Sequence, residues 1–125
     1  MPELTIGGGV HVEHALFRVA VAARAFGLAA IDGPHAVLGD EAGLRASAER
    51  SRAFGYDGKW CIHPAQIAIC NEVYAPTPEQ VERARRIVAT DGAATRLDGE
   101  MIDEATRKMA RAVLARAGLY DPADE

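Results

Sequence analysis

The sequence predicts an α/β fold with parallel strand connectivity, and three observations carry that prediction. Apolar runs too short for helices, 28–31 and 60–62, alternate with segments of helical periodicity. The second run leads into His63-Pro64. Proline lacks an N–H and has its φ preset, so it belongs in a first helical turn and biases the residue before it toward extended backbone. The chain of 125 residues, 49% apolar and 26% charged, is long enough for a core burying roughly two-thirds of its unfolded surface.

Each element has its own local reason. Leu4-Thr5-Ile6 before Gly7-Gly8-Gly9 reads as a frayed strand or a flexible leader, since the glycines lack the further pattern of a phosphate loop. Over 12–26 the apolar positions Leu16, Val19, Ala20, Ala23 and Phe26 follow helical spacing, and Gly27 supplies the stop. Residues 28–31 form a strand that ends at Asp32-Gly33-Pro34. Asp40 caps a helix over 41–54, which Gly55 terminates. Asp57-Gly58 reads as a turn, 60–62 as a buried parallel strand, and 64–73 as a helix. Thr77, Pro78 and Gln80 make a capping box for a helix with Val81, Ala84, Ile87 and Val88 on one face. A loop passes through Asp98-Gly99 to a last helix over 101–117, striped by Ile102, Ala105, Met109, Val113 and Leu114 and stopped by Gly118. Two parallel strands alone leave two edges unpaired.

Composition excludes several classes. A formal charge of −4 without a basic patch argues against a nucleic-acid partner. No apolar stretch reaches membrane-spanning length, and Met1-Pro2-Glu3 lacks the basic start of a signal peptide. Cys61 and Cys70 are too few for a disulfide framework and lack zinc-ligand spacing; buried thiols in a reducing cytoplasm fit them better. The Asp32-Gly33-Pro34 turn has no phosphate-cradling glycines, which disfavours a Rossmann-like nucleotide binder.

Four segments in order carry a family resemblance. They are residues 22–33 (AARAFGLAAIDG), 54–66 (FGYDGKWCIHPAQ), 74–77 (YAPT) and 97–103 (LDGEMID). They resemble the citrate lyase beta chain and related CoA-ester lyases of the HpcH/HpaI aldolase superfamily, malyl-CoA lyases included. The resemblance implies the C-terminal portion of a TIM (β/α)8 barrel, about two parallel strands with helices, plus a C-terminal helical lid. A whole barrel takes roughly 250 residues. The implied organisation is a leader over 1–11, a partial barrel over 12–75, a helical lid over 76–118 and an acidic tail over 119–125.

The resemblance also implies chemistry: magnesium-dependent cleavage of a carbon–carbon bond in a CoA thioester, giving an acyl-CoA and an oxo-acid. The family's glutamate and aspartate metal ligands and its substrate-gripping arginine match no residue here. The implied expectation is therefore no activity for the chain alone, with pairing to an N-terminal half or homo-oligomerisation. The alternative is a non-catalytic remnant serving as an interaction module. Asp103 matches a lid aspartate that acts in proton transfer at a neighbouring subunit's site, although a first-turn acid is also favoured by the helix dipole alone.

Three further residues are candidate substrate or CoA contacts. Asp32, at a strand end, either faces the barrel mouth or fixes the Gly33-Pro34 turn. His63 and Pro64 lie where α/β proteins bind ligands, and His63 has the competing role of holding its turn through a backbone hydrogen bond. Lys59, Arg18 and Arg24 read as solvated, Gln66 as a surface cap and His35 as exposed.

Overall fold

The computed structural model describes residues 10–91 and 94–119, and the chain divides into two units, the first ending at Tyr74 and the second starting at Ala75. The leader glycines and the acidic tail lie outside the described residues.

The first unit holds α1 (Val10–Ala25), β1 (Ile31–Asp32), α2 (Glu41–Ala53), β2 (Gly58–Lys59) and α3 (Ala65–Tyr74). Helix α1 begins two residues earlier than its apolar spacing suggests, and Gly27, at φ +66, supplies the expected reversal. In α2 the Asp40 carboxylate accepts from the Gly43 N–H at 2.9 Å, which satisfies one of the orphan donors of the first turn. Burial of Ala48 and Ser51 then seats α2 against α3, where the Ser51 hydroxyl meets the Tyr74 hydroxyl at 2.6 Å.

β1 and β2 pair in parallel, Ile31 with Gly58 and Asp32 with Lys59. Both strands are shorter than the apolar runs suggest, and the second is displaced. Gly58 belongs to the strand, and the turn sits instead at Phe54-Gly55, where Gly55 has φ +90. Asp57 is a bridge: its N–H donates to the Ala30 carbonyl at 2.8 Å and its carboxylate accepts from the Ala30 N–H at 2.9 Å. Arg24 donates to the same carboxylate at 2.7 Å and to the Gly55 carbonyl at 2.8 Å, so it ties α1 to this turn and is not simply solvated.

The expected buried strand over 60–62 is a correction. Trp60 is 67% exposed, and Cys61 and Ile62 are exposed as well. The ladder extends only to the Trp60 N–H, which donates to the Asp32 carbonyl at 3.0 Å. Beyond it the backbone bends into His63-Pro64, and among the described residues no further strand covers this stretch. A small core of Ala20, Ala30 and Tyr56 lies beneath α1, with the Tyr56 hydroxyl donating to the Leu16 carbonyl at 3.1 Å.

The second unit holds α4 (Pro78–Val88), β3 (Ala94–Leu97), β4 (Glu100–Asp103) and α5 (Glu104–Arg116). The capping box at the start of α4 is complete, with Thr77 and Gln80 bonding each other's backbone N–H groups. The loop expected at Asp98-Gly99 is a two-residue antiparallel hairpin, with Leu97 opposite Glu100 and Thr95 opposite Ile102. Asp98 (φ 51) and Gly99 (φ 87) take the left-handed values that a primed hairpin turn requires.

The last helix therefore starts at Glu104, three residues later than expected. Its buried face is Arg107, Ala110 and Leu114, while Met109 is exposed and Ile102 enters the core from β4. Ala84 and Ile87 of α4 complete that core. Arg107 is buried because its guanidinium is occupied, Nε donating to the Thr90 carbonyl at 3.2 Å and Nη1 reaching Glu104 at 3.4 Å.

Candidate functional site

The carboxyl ends of β1 and β2 carry an ion pair that sequence reasoning only half anticipates. Register places Asp32 beside Lys59. The Lys59 ammonium, 2% exposed, donates to Asp32 Oδ2 at 2.7 Å and to the Ser47 hydroxyl of α2 at 2.9 Å. Asp32, 13% exposed, also accepts the Gly33 N–H on Oδ1 at 2.8 Å. Asp32 thus fixes its turn and neutralises a buried cation at the same time. Lys59 is no solvated entry residue. Nothing in a single sequence gives strand register, so this pairing was beyond the motif's reach.

His63 and Pro64 follow β2 at the start of α3. His63 Nδ1 accepts the Ala65 N–H at 3.2 Å, so the histidine does hold the turn, and the proton of its neutral ring is left on Nε2. Pro64 precedes the first residue of α3 and its carbonyl accepts from Ile67 at 3.1 Å. Gln66 is buried at 5% exposure, not a surface cap. Its amide oxygen accepts the Ile62 N–H at 2.9 Å and its NH2 donates to the His35 carbonyl at 2.9 Å. The helix-start signal of Pro64-Ala65-Gln66 foreshadows such a reach back to the preceding backbone, but not the tie to His35. His35 is itself partly buried, its Nε2 lying 3.1 Å from Asp40.

These ties frame a cavity of about 50 Å³ between 37–41 and α3. Val37, Leu38, Leu44 and Ile69 make it apolar, and His63 and Gln66 contribute polar groups. Asp40 lies at its edge, held ionised below the usual carboxylate range by the Gly43 N–H and then by His35. His63 lines this cavity, whereas Asp32 closes on Lys59, which also donates to Ser47.

Asp103 lies in the second unit, as the N-cap of α5 and not within its first turn. Its Oδ1 accepts both the Thr106 N–H and the Thr106 hydroxyl, each at 2.8 Å. The Thr106 N–H, then its hydroxyl, hold this carboxyl below its ordinary value. It is therefore a carboxylate at neutral pH.

The donor chemistry does not fit a divalent metal. One Asp32 oxygen faces an ammonium and the other an amide N–H, and among the described residues no group of three or more His, Cys, Asp or Glu side chains is placed to hold an ion. Among the same residues no helix is long and apolar enough to cross a membrane.

A family model described as C–C bond lyase of the TIM-barrel fold matches residues 23–121. A citrate lyase subunit beta-like protein of Deinococcus radiodurans is 41% identical over an alignment of 115 positions that covers 86% of this chain and 40% of that protein. A (3S)-malyl-CoA thioesterase of Cereibacter sphaeroides is 41% identical over an alignment of 104 positions that covers 78% of this chain and 36% of that protein. The crystal structure of CitE from Mycobacterium tuberculosis with magnesium, acetoacetate and coenzyme A follows 93% of this chain and 45% of its own, with a TM-score of 0.75 and 32% identity. The chain thus spans less than half the length of these relatives.

Proposed function

The chain belongs to the C–C bond lyase family of the TIM-barrel fold, and from that premise we propose that it forms the last strands and the helical lid of a magnesium-dependent CoA-ester carbon–carbon lyase. The substrate class is a citryl-CoA or malyl-CoA type thioester, cleaved to an acyl-CoA and an oxo-acid in the cytoplasm. The observation that carries the reading is the fold similarity over 93% of the chain to a structure holding magnesium, acetoacetate and coenzyme A. Since the described residues do not fit a magnesium site, the metal of this proposal is held by the remainder of the barrel.

The roles left to this chain are binding, orientation and proton transfer. Asp32 and Lys59 fix the carboxyl ends of two adjacent strands, and a buried, hydrogen-bonded pair holds a site edge rigid. The Nε2–H of His63 is free to donate to a thioester or phosphate oxygen, with Pro64 setting the turn that presents it. Asp103, ionised and near a helix end, serves as the acid–base group toward a neighbouring subunit's site. In the cleavage direction the carboxylate takes the substrate's hydroxyl proton as the carbon–carbon bond breaks and returns it to the acyl-CoA carbanion; its lowered pKa makes it a weak base, so that carbanion must be stabilised elsewhere in the site.

The test uses the 125-residue chain alone and the same chain co-purified with the N-terminal segment of the Deinococcus relative. With magnesium and malyl-CoA or citryl-CoA, the chain alone releases no oxo-acid and the assembled protein does. Turnover by the chain alone overturns its dependence on the rest of the barrel; an inert but well-folded assembly overturns the lyase reading in favour of a non-catalytic module. Release of free CoA thiol without oxo-acid indicates thioester hydrolysis, the activity named for the Cereibacter relative.

Asp103→Asn in the assembly keeps a good N-cap while removing the base. It is expected to lower kcat by about 10²-fold or more, with little change in melting temperature. An unchanged kcat removes Asp103 from the chemistry.

A further inference from the structure

The hairpin of the second unit has two faces, and its register decides which residues share one. Ile102, 1% exposed, turns into the core formed with α4 and α5, and Thr95 lies opposite it. Successive side chains alternate across a strand, so Arg96, Met101 and Asp103 belong to the other face. Met101 stands opposite Arg96, and Asp103 stands opposite Ala94. Arg96 and Asp103 are therefore diagonal neighbours, about 7–8 Å apart, a gap within reach of a long side chain.

The two charged groups are not paired with each other. The acids that flank the hairpin turn are taken by α4, Asp98 by Arg86 at 2.8 Å and Glu100 by Arg83. Arg96 is exposed, and among the described residues its guanidinium makes no ion pair or hydrogen bond. Asp103 takes both of its bonds from Thr106 on Oδ1. The face thus holds a guanidinium and a carboxylate side by side. Its complement is a group that carries an anion next to a hydroxyl.

From this juxtaposition we infer that Arg96 is a specificity-determining residue: it binds a free carboxylate of the acyl group beside the hydroxyl that Asp103 deprotonates, and so favours citryl-type over malyl-type thioesters. The inference rests on the reading of Asp103 as the acid–base group of a neighbouring subunit's site. Both acyl groups place a hydroxyl and a carboxylate on the carbon that is cleaved, and a citryl-type group adds a second carboxylate one methylene away. An ionised Asp103 brought to that hydroxyl is repelled by each carboxylate, and the opposition grows with their number. A cation two register positions away offsets it, and by more for the doubly charged group. A guanidinium also offers two parallel N–H donors, which fix the orientation of a carboxylate as well as its charge. The phosphates of coenzyme A lie a whole pantetheine arm from the reacting carbon, too far for a residue this close to Asp103.

The test measures kcat/KM for citryl-CoA and malyl-CoA with the chain assembled on the N-terminal segment of the Deinococcus relative. The wild-type assembly is expected to prefer citryl-CoA. Arg96→Met should lower kcat/KM for citryl-CoA by about 10-fold or more, chiefly through KM, and change malyl-CoA by less than about 2-fold. Arg96→Lys keeps the charge without the fork and should restore part of the preference. Both variants should melt with wild type, because Arg96 is exposed. An equal loss on both thioesters would place the guanidinium on the coenzyme A phosphates they share and overturn the inference, as would an unchanged preference. If Asp103→Asn stops turnover of both thioesters while Arg96→Met shifts neither, the lyase reading stands and this inference alone falls. A well-folded assembly inert toward both thioesters overturns the two together.

Discussion

The decisive residue pair is Asp32 and Lys59, and its burial sets the size of any perturbation. An ion pair this enclosed gains little over an apolar pair of the same shape, yet breaking it from one side strands a charge. Lys59→Met leaves the Asp32 carboxylate facing only the Gly33 N–H and is expected to destabilise the chain by about 3–5 kcal/mol. Adding Asp32→Asn to that variant should recover part of the loss, because the stranded charge goes with it. Urea unfolding of the two single variants and the double variant measures the coupling; strictly additive losses would show that the 2.7 Å contact is not energetically a pair. Residue-scale reading of the sequence picked out Asp32 and His63 because each abuts a turn signal. It passed over Lys59, Gln66 and Arg24, whose importance lies in partners 27, 31 and 33 positions away. Such long separations are fixed by topology, and residue type alone does not reveal them.

At the scale of elements, what was legible was whatever local chemistry decides. Asp40 as a cap, the Thr77-Pro78-Gln80 box and the glycine stops after α1, α2 and α5 all arise within a few residues. The extents of β1 and β2 were not legible, because each strand has a single partner among the described residues and its pairing ends where the other chain segment bends away. The β3–β4 hairpin carried its signal openly in Asp98-Gly99, but only Ile102 of its strands is deeply buried, so no alternating apolar face announced it. The turn gives a clean test. A Cβ at Gly99 would meet nothing within 4 Å, so Gly99→Ala carries only the conformational cost of φ +87. That cost is about 1–2 kcal/mol, read as a lower melting temperature. Gly33→Ala is the control: space is equally open there and φ is not positive, so its stability should stay near wild type. Equal effects at the two sites would mean that the hairpin turn does not require left-handed backbone.

At the scale of the whole molecule, the first unit presents apolar surface that its own core leaves uncovered. Phe26 is 80% exposed, and Leu28, Trp60 and Ile62 are each more than half exposed. All four flank β1 and β2, and each of these strands has one edge unpaired among the described residues. In a family of closed barrels, such edges and side chains are where adjoining strands and helices pack. Burying a side chain of this kind is worth roughly 1.5–3 kcal/mol, so several of them together outweigh the entropy of a loose association. The 125-residue chain is therefore expected to self-associate in a concentration-dependent way when alone, and to lose that tendency when co-purified with the N-terminal segment of a relative. Light scattering coupled to size-exclusion chromatography measures both. Trp60→Lys combined with Phe26→Glu should shift the isolated chain toward monomer while leaving its helical circular dichroism intact, because neither side chain belongs to a buried core. A chain that stays monomeric across the accessible concentration range, with the same apolar residues in place, would mean that these edges are stable in water without a partner. The proposed assembly would then have to rest on the second unit, whose core of Ala84, Ile87, Ile102, Ala110 and Leu114 is already closed by its own hairpin and helices.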